Sequence, residues 1–217
     1  MSATMVIGNK NYSSWSLRAW LMARQTPLEF EELKLDLDTP DFYARIEALS
    51  PSLTVPALHI DGDIVCDSLA IGETLAERYP AAGLWPEDRM MRAYARSISA
   101  QMHSGFAALR TEMPMNSRAT GRTISASEAT LSDIELVKGI WRECRRRRTD
   151  SDGGLLGGFT IVDAMYIPVA LRFNTYGVAL GPDDRAYLDW VKAQPDVAAW
   201  MAAAQSEPQF LEDGEVG

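Results

Sequence analysis

Short apolar runs alternate with helix-period segments over the first eighty residues. Met5-Val6-Ile7-Gly8 reads as a short buried strand, and Leu17 to Gln25 as a helix rich in Arg, Ala, Leu and Met. Glu29 to Leu35 places Phe30, Leu33 and Leu35 among charged neighbours, the pattern of a half-exposed strand. Thr39-Pro40-Asp41 is a helix start with proline near the first helical position, and Phe42 to Leu49 continues it. Ala57 to Ile60 and Ile64 to Cys66 are two apolar runs joined by Asp61-Gly62-Asp63, a tight hairpin signal because Asp and Gly tolerate positive φ. Ser68 to Tyr79 follows as a helix. After the break at Pro80 to Pro86 the strand signals stop. Glu87 to about Leu109 reads as one long helix, Ser125 to about Arg147 as a second, and Ile161 to Tyr176, Asp183 to Ala193 and Pro195 to Ala204 as three more. The expectation is a small α/β domain over residues 1–80, a linker over 81–86, and an all-α helical domain over 87–217.

Composition narrows the class. The chain has 217 residues, 47% of them hydrophobic, so a packed core is expected and long disorder is not. A formal charge of −9 disfavours nucleic acid as a partner, because neutralising phosphate dominates that affinity. No apolar run reaches the ~20 residues that span a bilayer, which argues against a membrane partner. Met1 to Gly8 has no basic start and no long apolar core, so it does not read as a secretion signal. Cys66 and Cys144 lie far apart, as do His59 and His103, so neither a redox pair nor a metal site is expected. These features point to a soluble cytoplasmic protein with reduced thiols.

Three segments offer chemistry. Tyr12-Ser13-Ser14-Trp15-Ser16-Leu17-Arg18 lies between the first strand and the first helix. A serine there is either a plain N-cap or a donor to a thiolate, at the positive end of the helix dipole. Thr54-Val55-Pro56 precedes a strand; its proline is an edge marker or, if cis, exposes the Val55 backbone to a ligand. Asp67-Ser68 opens a helix, as a cap or as an anion trap. Thr160 to Asp163 matches a capping box with Asp in the Glu position, a structural feature worth about 1 kcal/mol. The five arginines from Arg142 to Arg148 read as a solvated helix end. Met102 and Phe106 are core or cleft lining.

In combination these segments resemble the glutathione transferase superfamily over nearly the whole chain. The carrying residues are Tyr12 to Arg18, Ser50 to Leu58, Asp67 to Ile71 and Gly157 to Ala164. The Ser-Ser-x-Ser-x-Arg pattern looks closest to zeta-like members, some of which isomerise maleylacetoacetate. The resemblance implies a thioredoxin-like N-terminal domain, a helical C-terminal domain, a homodimer and a cis Val55–Pro56 bond. It implies glutathione as co-substrate, held by Ser13, Thr54, Val55, Pro56, Asp67 and Ser68. Ser13 is the favoured thiolate donor and Ser14 the close alternative, while Met102, Phe106 and Arg172 are the candidate contacts for a small electrophile. The expected activity is serine-type conjugation. The alternatives are a cis–trans isomerase of the maleylacetoacetate type and a non-enzymatic protein on the same fold. Trp15 stands where zeta-like members carry cysteine, and Thr54 where Gln or Lys often precedes Val-Pro.

Overall fold

The computed structural model describes residues 3–148 and 152–217. Four strands, β1 (Ala3–Ile7), β2 (Phe30–Lys34), β3 (Ala57–Ile60) and β4 (Asp63–Cys66), form one sheet in the order β2-β1-β3-β4. β1 pairs parallel to β2, and the β1–β3 and β3–β4 pairs are antiparallel. Met5, Val6 and Ile7 of the inner strand β1 are fully buried, which is why that segment reads as a continuous apolar run. β2, at the sheet edge, keeps its mixed pattern. The β3–β4 hairpin closes through Asp61 and Gly62, both at positive φ, as a two-residue turn of the kind that matches strand twist. β4 therefore starts at Asp63, one residue before the apolar run.

Three helices complete this part: α1 (Ser14–Arg24), α2 (Pro40–Leu49) and α3 (Ser68–Arg78). α1 starts three residues before the apolar periodicity does, because Ser13 caps it and accepts the Ser16 N–H. Thr39 caps α2 by accepting the Phe42 N–H, with Pro40 in the first turn.

The regular elements in the rest of the described chain are helices, joined by loops: α4 (Arg89–Ser104), α5 (Ala107–Glu112), α6 (Glu128–Arg147), α7 (Ile161–Thr175), α8 (Pro182–Ala193) and α9 (Pro195–Gln205), besides short 3₁₀ turns and one isolated bridge between Gly154 and Gly157. The long helix expected from Glu87 to Leu109 is two helices. The α4 ladder ends at Gly105, and Phe106 turns the chain with φ of 60°. A bulky residue in that region is sterically disfavoured, and it is held because the Phe106 ring is buried in the core. One apolar cluster runs from the sheet through α1 to α4, α6 and α7, so the two halves share a core. α7 is its spine: fourteen of its fifteen residues are buried, and it packs on α1 and α4. α9 reaches α1 as well, with the Trp20 and Trp200 rings 5.3 Å apart and the Lys10 ammonium over both. No helix among the described residues is long and apolar enough to cross a membrane.

The start of α7 carries more than a surface cap would. The Asp163 carboxylate is fully buried and accepts from the Leu155 N–H (2.8 Å), the Thr160 N–H (2.9 Å), the Thr160 hydroxyl (3.1 Å) and the Tyr187 hydroxyl (3.3 Å). Burial pushes its carboxyl up to about 6, while those four donors pull the other way. Asp163 thus ties the loop before α7, the first turn of α7 and α8 together. Asp163→Ala should lower unfolding free energy by about 3 kcal/mol, since it leaves buried donors without an acceptor. Urea denaturation, with a lower midpoint at unchanged slope, checks this. A loss near the ~1 kcal/mol of an ordinary cap would refute the tying role.

Candidate functional site

The two serines before α1 differ in what they can offer. Ser13 Oγ donates to Ser16 Oγ at 2.7 Å and accepts the Ser16 N–H at 3.3 Å. Ser16 Oγ in turn accepts the Gly8 N–H at 3.0 Å. The Ser13 proton is therefore engaged inside the turn that joins β1 to α1. Ser14 Oγ instead accepts from Arg172 Nη2 at 3.3 Å, across the boundary between the two halves of the chain. A hydroxyl that accepts from a guanidinium keeps its own proton to donate elsewhere. Both serines line a cleft of about 1120 Å³ between the sheet domain and the helices. This exceeds the ~300–1,000 Å³ typical of a single drug-sized ligand.

The same cleft is lined by Thr54, Val55, Pro56, Asp67 and Ser68, also from the sheet domain. The Val55–Pro56 bond is cis, and the Thr54 hydroxyl pairs with that of Ser52 at 2.8 Å. Asp67 has φ of 77° and caps α3 through one carboxylate oxygen, which accepts the Leu69 and Ala70 N–H groups at 2.8 and 3.1 Å. The second oxygen meets His103 Nε2 of α4 at 3.1 Å. Ser68 is 1% exposed, and its hydroxyl has no hydrogen-bond partner among the described residues. An unsatisfied buried hydroxyl costs free energy, and here it sits at a helix N-terminus on a cleft wall. That is the chemistry of an anion site, since the first N–H groups of a helix also lack internal partners.

The α5 and α7 side of the cleft is cationic. Arg172 is buried and donates to the Met113 carbonyl at 2.7 Å as well as to Ser14. Arg110 donates to the backbone carbonyls of His103 and Gly105. Both line the cleft with Trp15, whose ring takes the Arg18 guanidinium at 4.3 Å, that of Arg110 at 5.2 Å, and the His103 ring edge-on at 5.1 Å. Burial draws Arg172 down to about 10, and the like charge of Arg110 adds to the effect. Of the three candidate electrophile contacts, Arg172 is on the cleft. Met102 and Phe106 belong to the core shared by the two halves. Their periodic apolar spacing marked buried positions, and the turn at Gly105-Phe106 carries the Phe106 ring inward.

Sequence reasoning missed His103, Arg110 and the C-terminal segment. His103 and Arg110 lie on the helix broken at Phe106, so no periodic face predicts where they point. Leu211, Asp213 and Gly214 line the cleft because the last residues fold back over Tyr12. The Tyr12 hydroxyl donates to Glu215 at 2.6 Å and accepts from Arg118 at 2.8 Å. Glu215 also pairs with Arg122, and a side chain on Gly214 would meet the Tyr12 ring at 2.5 Å. The only sequence hint was a glycine beside acidic residues at the end of the chain.

Comparison with known proteins gives the same direction. The family described as glutathione S-transferase, N-terminal domain, matches residues 12–78. A probable maleylacetoacetate isomerase from Caenorhabditis elegans is 34% identical over 92 residues, 42% of this chain and 42% of the relative. The maleylacetoacetate isomerase of Mus musculus is 38% identical over 93 residues, 42% of this chain and 43% of the relative. The match thus spans about two fifths of those relatives' length. Among solved structures, a Burkholderia glutathione transferase homolog with bound glutathione superposes with a TM-score of 0.71 at 25% identity, covering 95% of this chain and 100% of that one. A diazinon-metabolizing glutathione S-transferase from the silkworm Bombyx mori shares the fold at a TM-score of 0.76 and 16% identity, over 96% of this chain and all of that one. The N-terminal domain of the chain thus belongs to the glutathione S-transferase N-terminal family, and the two-part architecture is that of the glutathione transferase superfamily.

Proposed function

We propose that this protein binds glutathione in the cleft and uses the Ser14 hydroxyl to hold its sulfur as a thiolate, for transfer to a small electrophile. The observation that carries the reading is the division of labour between the serines. Ser13 is engaged as the cap of α1, whereas Ser14, fixed by Arg172, keeps a free proton on the cleft. This reverses the order of preference that the sequence resemblance suggests. The orphaned Ser68 hydroxyl and the α3 N-terminus suit the γ-glutamyl carboxylate, and Asp67 suits the ammonium. The extended Thr54-Val55-Pro56 segment suits the cysteinyl backbone, paired as an added strand.

A free thiol has a pKa near 8.5, so a small fraction ionises at neutral pH. One hydrogen bond to a charged acceptor is worth about 1.5–3 kcal/mol, which lowers that pKa by about one to two units. The proton lost from sulfur passes to solvent. The thiolate pair then forms the C–S bond, and the electrophile's leaving group departs with its bonding electrons, or a conjugated acceptor takes up the charge. The serine activates the peptide and is not the nucleophile.

A second reading is glutathione-dependent cis–trans isomerisation of an unsaturated acid. It is favoured by the maleylacetoacetate isomerases among the relatives and by Arg110 and Arg172 on the cleft, which suit a carboxylate. In it, addition of the thiolate is followed by rotation and expulsion of the same thiolate.

Binding, conjugation, thiolate ionisation and isomerase turnover separate these readings. The chain should be retained on immobilised glutathione and conjugate 1-chloro-2,4-dinitrobenzene. Absence of both would sink the conjugation reading. Ser14→Ala should raise the pKa of bound glutathione, followed by thiolate absorbance, by about one to two units. It should cut conjugation about 10–100-fold at neutral pH. Ser13→Ala should instead lower stability by about 1 kcal/mol, with a smaller effect on the thiolate. The reverse ranking would restore Ser13 as the donor. Turnover of a cis-dienoic acid far above any conjugation would favour the isomerase.

A further inference from the structure

Arg18 is the least explained group in the molecule. It lies on α1 at 0% exposure, and its Nε, Nη1 and Nη2 have no hydrogen-bond partner among the described residues. Stacking on Trp15 at 4.3 Å covers a face of the guanidinium but leaves the in-plane N–H groups unpaired. None of Arg18, Arg110 and Arg172 forms a carboxylate salt bridge among the described residues, and their charges act on one another. Burial, then Arg172, then Arg110 pull the Arg18 guanidinium down to about 9, so it stays cationic at neutral pH. Tyr166 of α7 and Asp67 before α3 act on it more weakly, in the opposite sense. Asp133 of α6 offsets part of the burial of Arg110.

A buried cation without a counter-ion is destabilising unless something supplies the missing charge. Arg18 stands four residues after Ser14 on α1, one turn along the same face, where side chains are neighbours about 5–6 Å apart at Cβ. The Ser14 hydroxyl is in turn fixed by Arg172. Arg110 and Arg172 thus line the cleft with Ser14, and Arg18 is buried one helical turn behind it. We propose that the glutathione thiolate is the counter-ion this arginine cluster lacks, with Arg18 acting through its field, behind Ser14 and Trp15, to hold the sulfur ionised. Arg18 touches neither reactant in this arrangement, so it is a positioning residue in the electrostatic sense. Serine supplies a directed hydrogen bond; Arg18 supplies a fixed charge shielded from water, where screening by salt is weak. The inference rests on the glutathione reading of the cleft.

The test is the ionisation of glutathione bound to the full chain, followed by thiolate absorbance from pH 5 to 9, beside the dissociation constant of S-methylglutathione, which carries no thiolate. A nearby cation favours the charged form, so removing it raises the thiol pKa. Arg18→Met should raise that pKa by about one unit while S-methylglutathione affinity changes less than about twofold. Arg18→Lys should restore most of the effect, because it returns the charge without the planar fork. Arg110→Met, at a half-buried position on the cleft, should raise the pKa by a smaller amount and serves if Arg18→Met does not fold. Unchanged thiolate pKa in the folded variants overturns the proposal and leaves Arg18 as a stacking residue for Trp15. Failure of the native chain to bind glutathione at all overturns the glutathione reading, and this inference with it.

Discussion

Everything at the cleft depends on α1 being buried on both sides. Ser14 and Ser16 to Ala23 are all buried, because the helix lies on the sheet through one face and against α7 and α9 through the other. A helix in that position cannot shift without opening the core shared by the two halves. Its N-terminus, and the serines there, are consequently fixed relative to residues more than 150 positions away. The Arg172 bond to Ser14 is short-range chemistry made available by that packing. The same constraint fixes Asp67, because α3 packs on α1. Ser14 and Asp67 are thus both referenced to one rigid helix, which is how a site built from separate segments keeps its geometry.

The tying of α7 serves the same purpose from the other side. α7 carries Arg172 near its C-terminal end and Asp163 in its first turn. Asp163 bonds the preceding loop and α8, so the axial position of α7, and with it the reach of Arg172, is set by a buried carboxylate. Strength at the capping box and geometry at the cleft are two ends of one helix.

What could be read from sequence was local. The caps at Ser13, Thr39 and Asp67, the Asp61-Gly62 turn and the apolar run of β1 each follow from a few adjacent residues, and the strand and helix order follows from them. The break at Gly105-Phe106 did not follow, because the apolar spacing continues across it and the positive φ of Phe106 is imposed by burial of its ring. The choice between Ser13 and Ser14 was also closed to sequence. Both are small hydroxyls at one helix start, and the difference lies in Ser16 for one and in Arg172, far along the chain, for the other. The fold-back of Glu215 onto Tyr12 and Arg122 was closed for the same reason.

The chain carries nine more acidic than basic residues, yet Arg110 and Arg172 line the cleft and Arg18 is buried behind it, none of them in a carboxylate salt bridge among the described residues. Packing alone would be served as well by an apolar residue of similar volume at Arg18, since replacing a buried ion by well-packed hydrophobic groups is often neutral or stabilising. On the proposed glutathione reading, a cation kept there at a cost to stability is offset by an anion that arrives with the ligand. In a chain of net negative charge, guanidinium groups gathered beside one cleft favour an anion there over the surrounding surface. Selectivity for an ionised tripeptide would then come from where the positive charge is buried, not from how much of it the protein has.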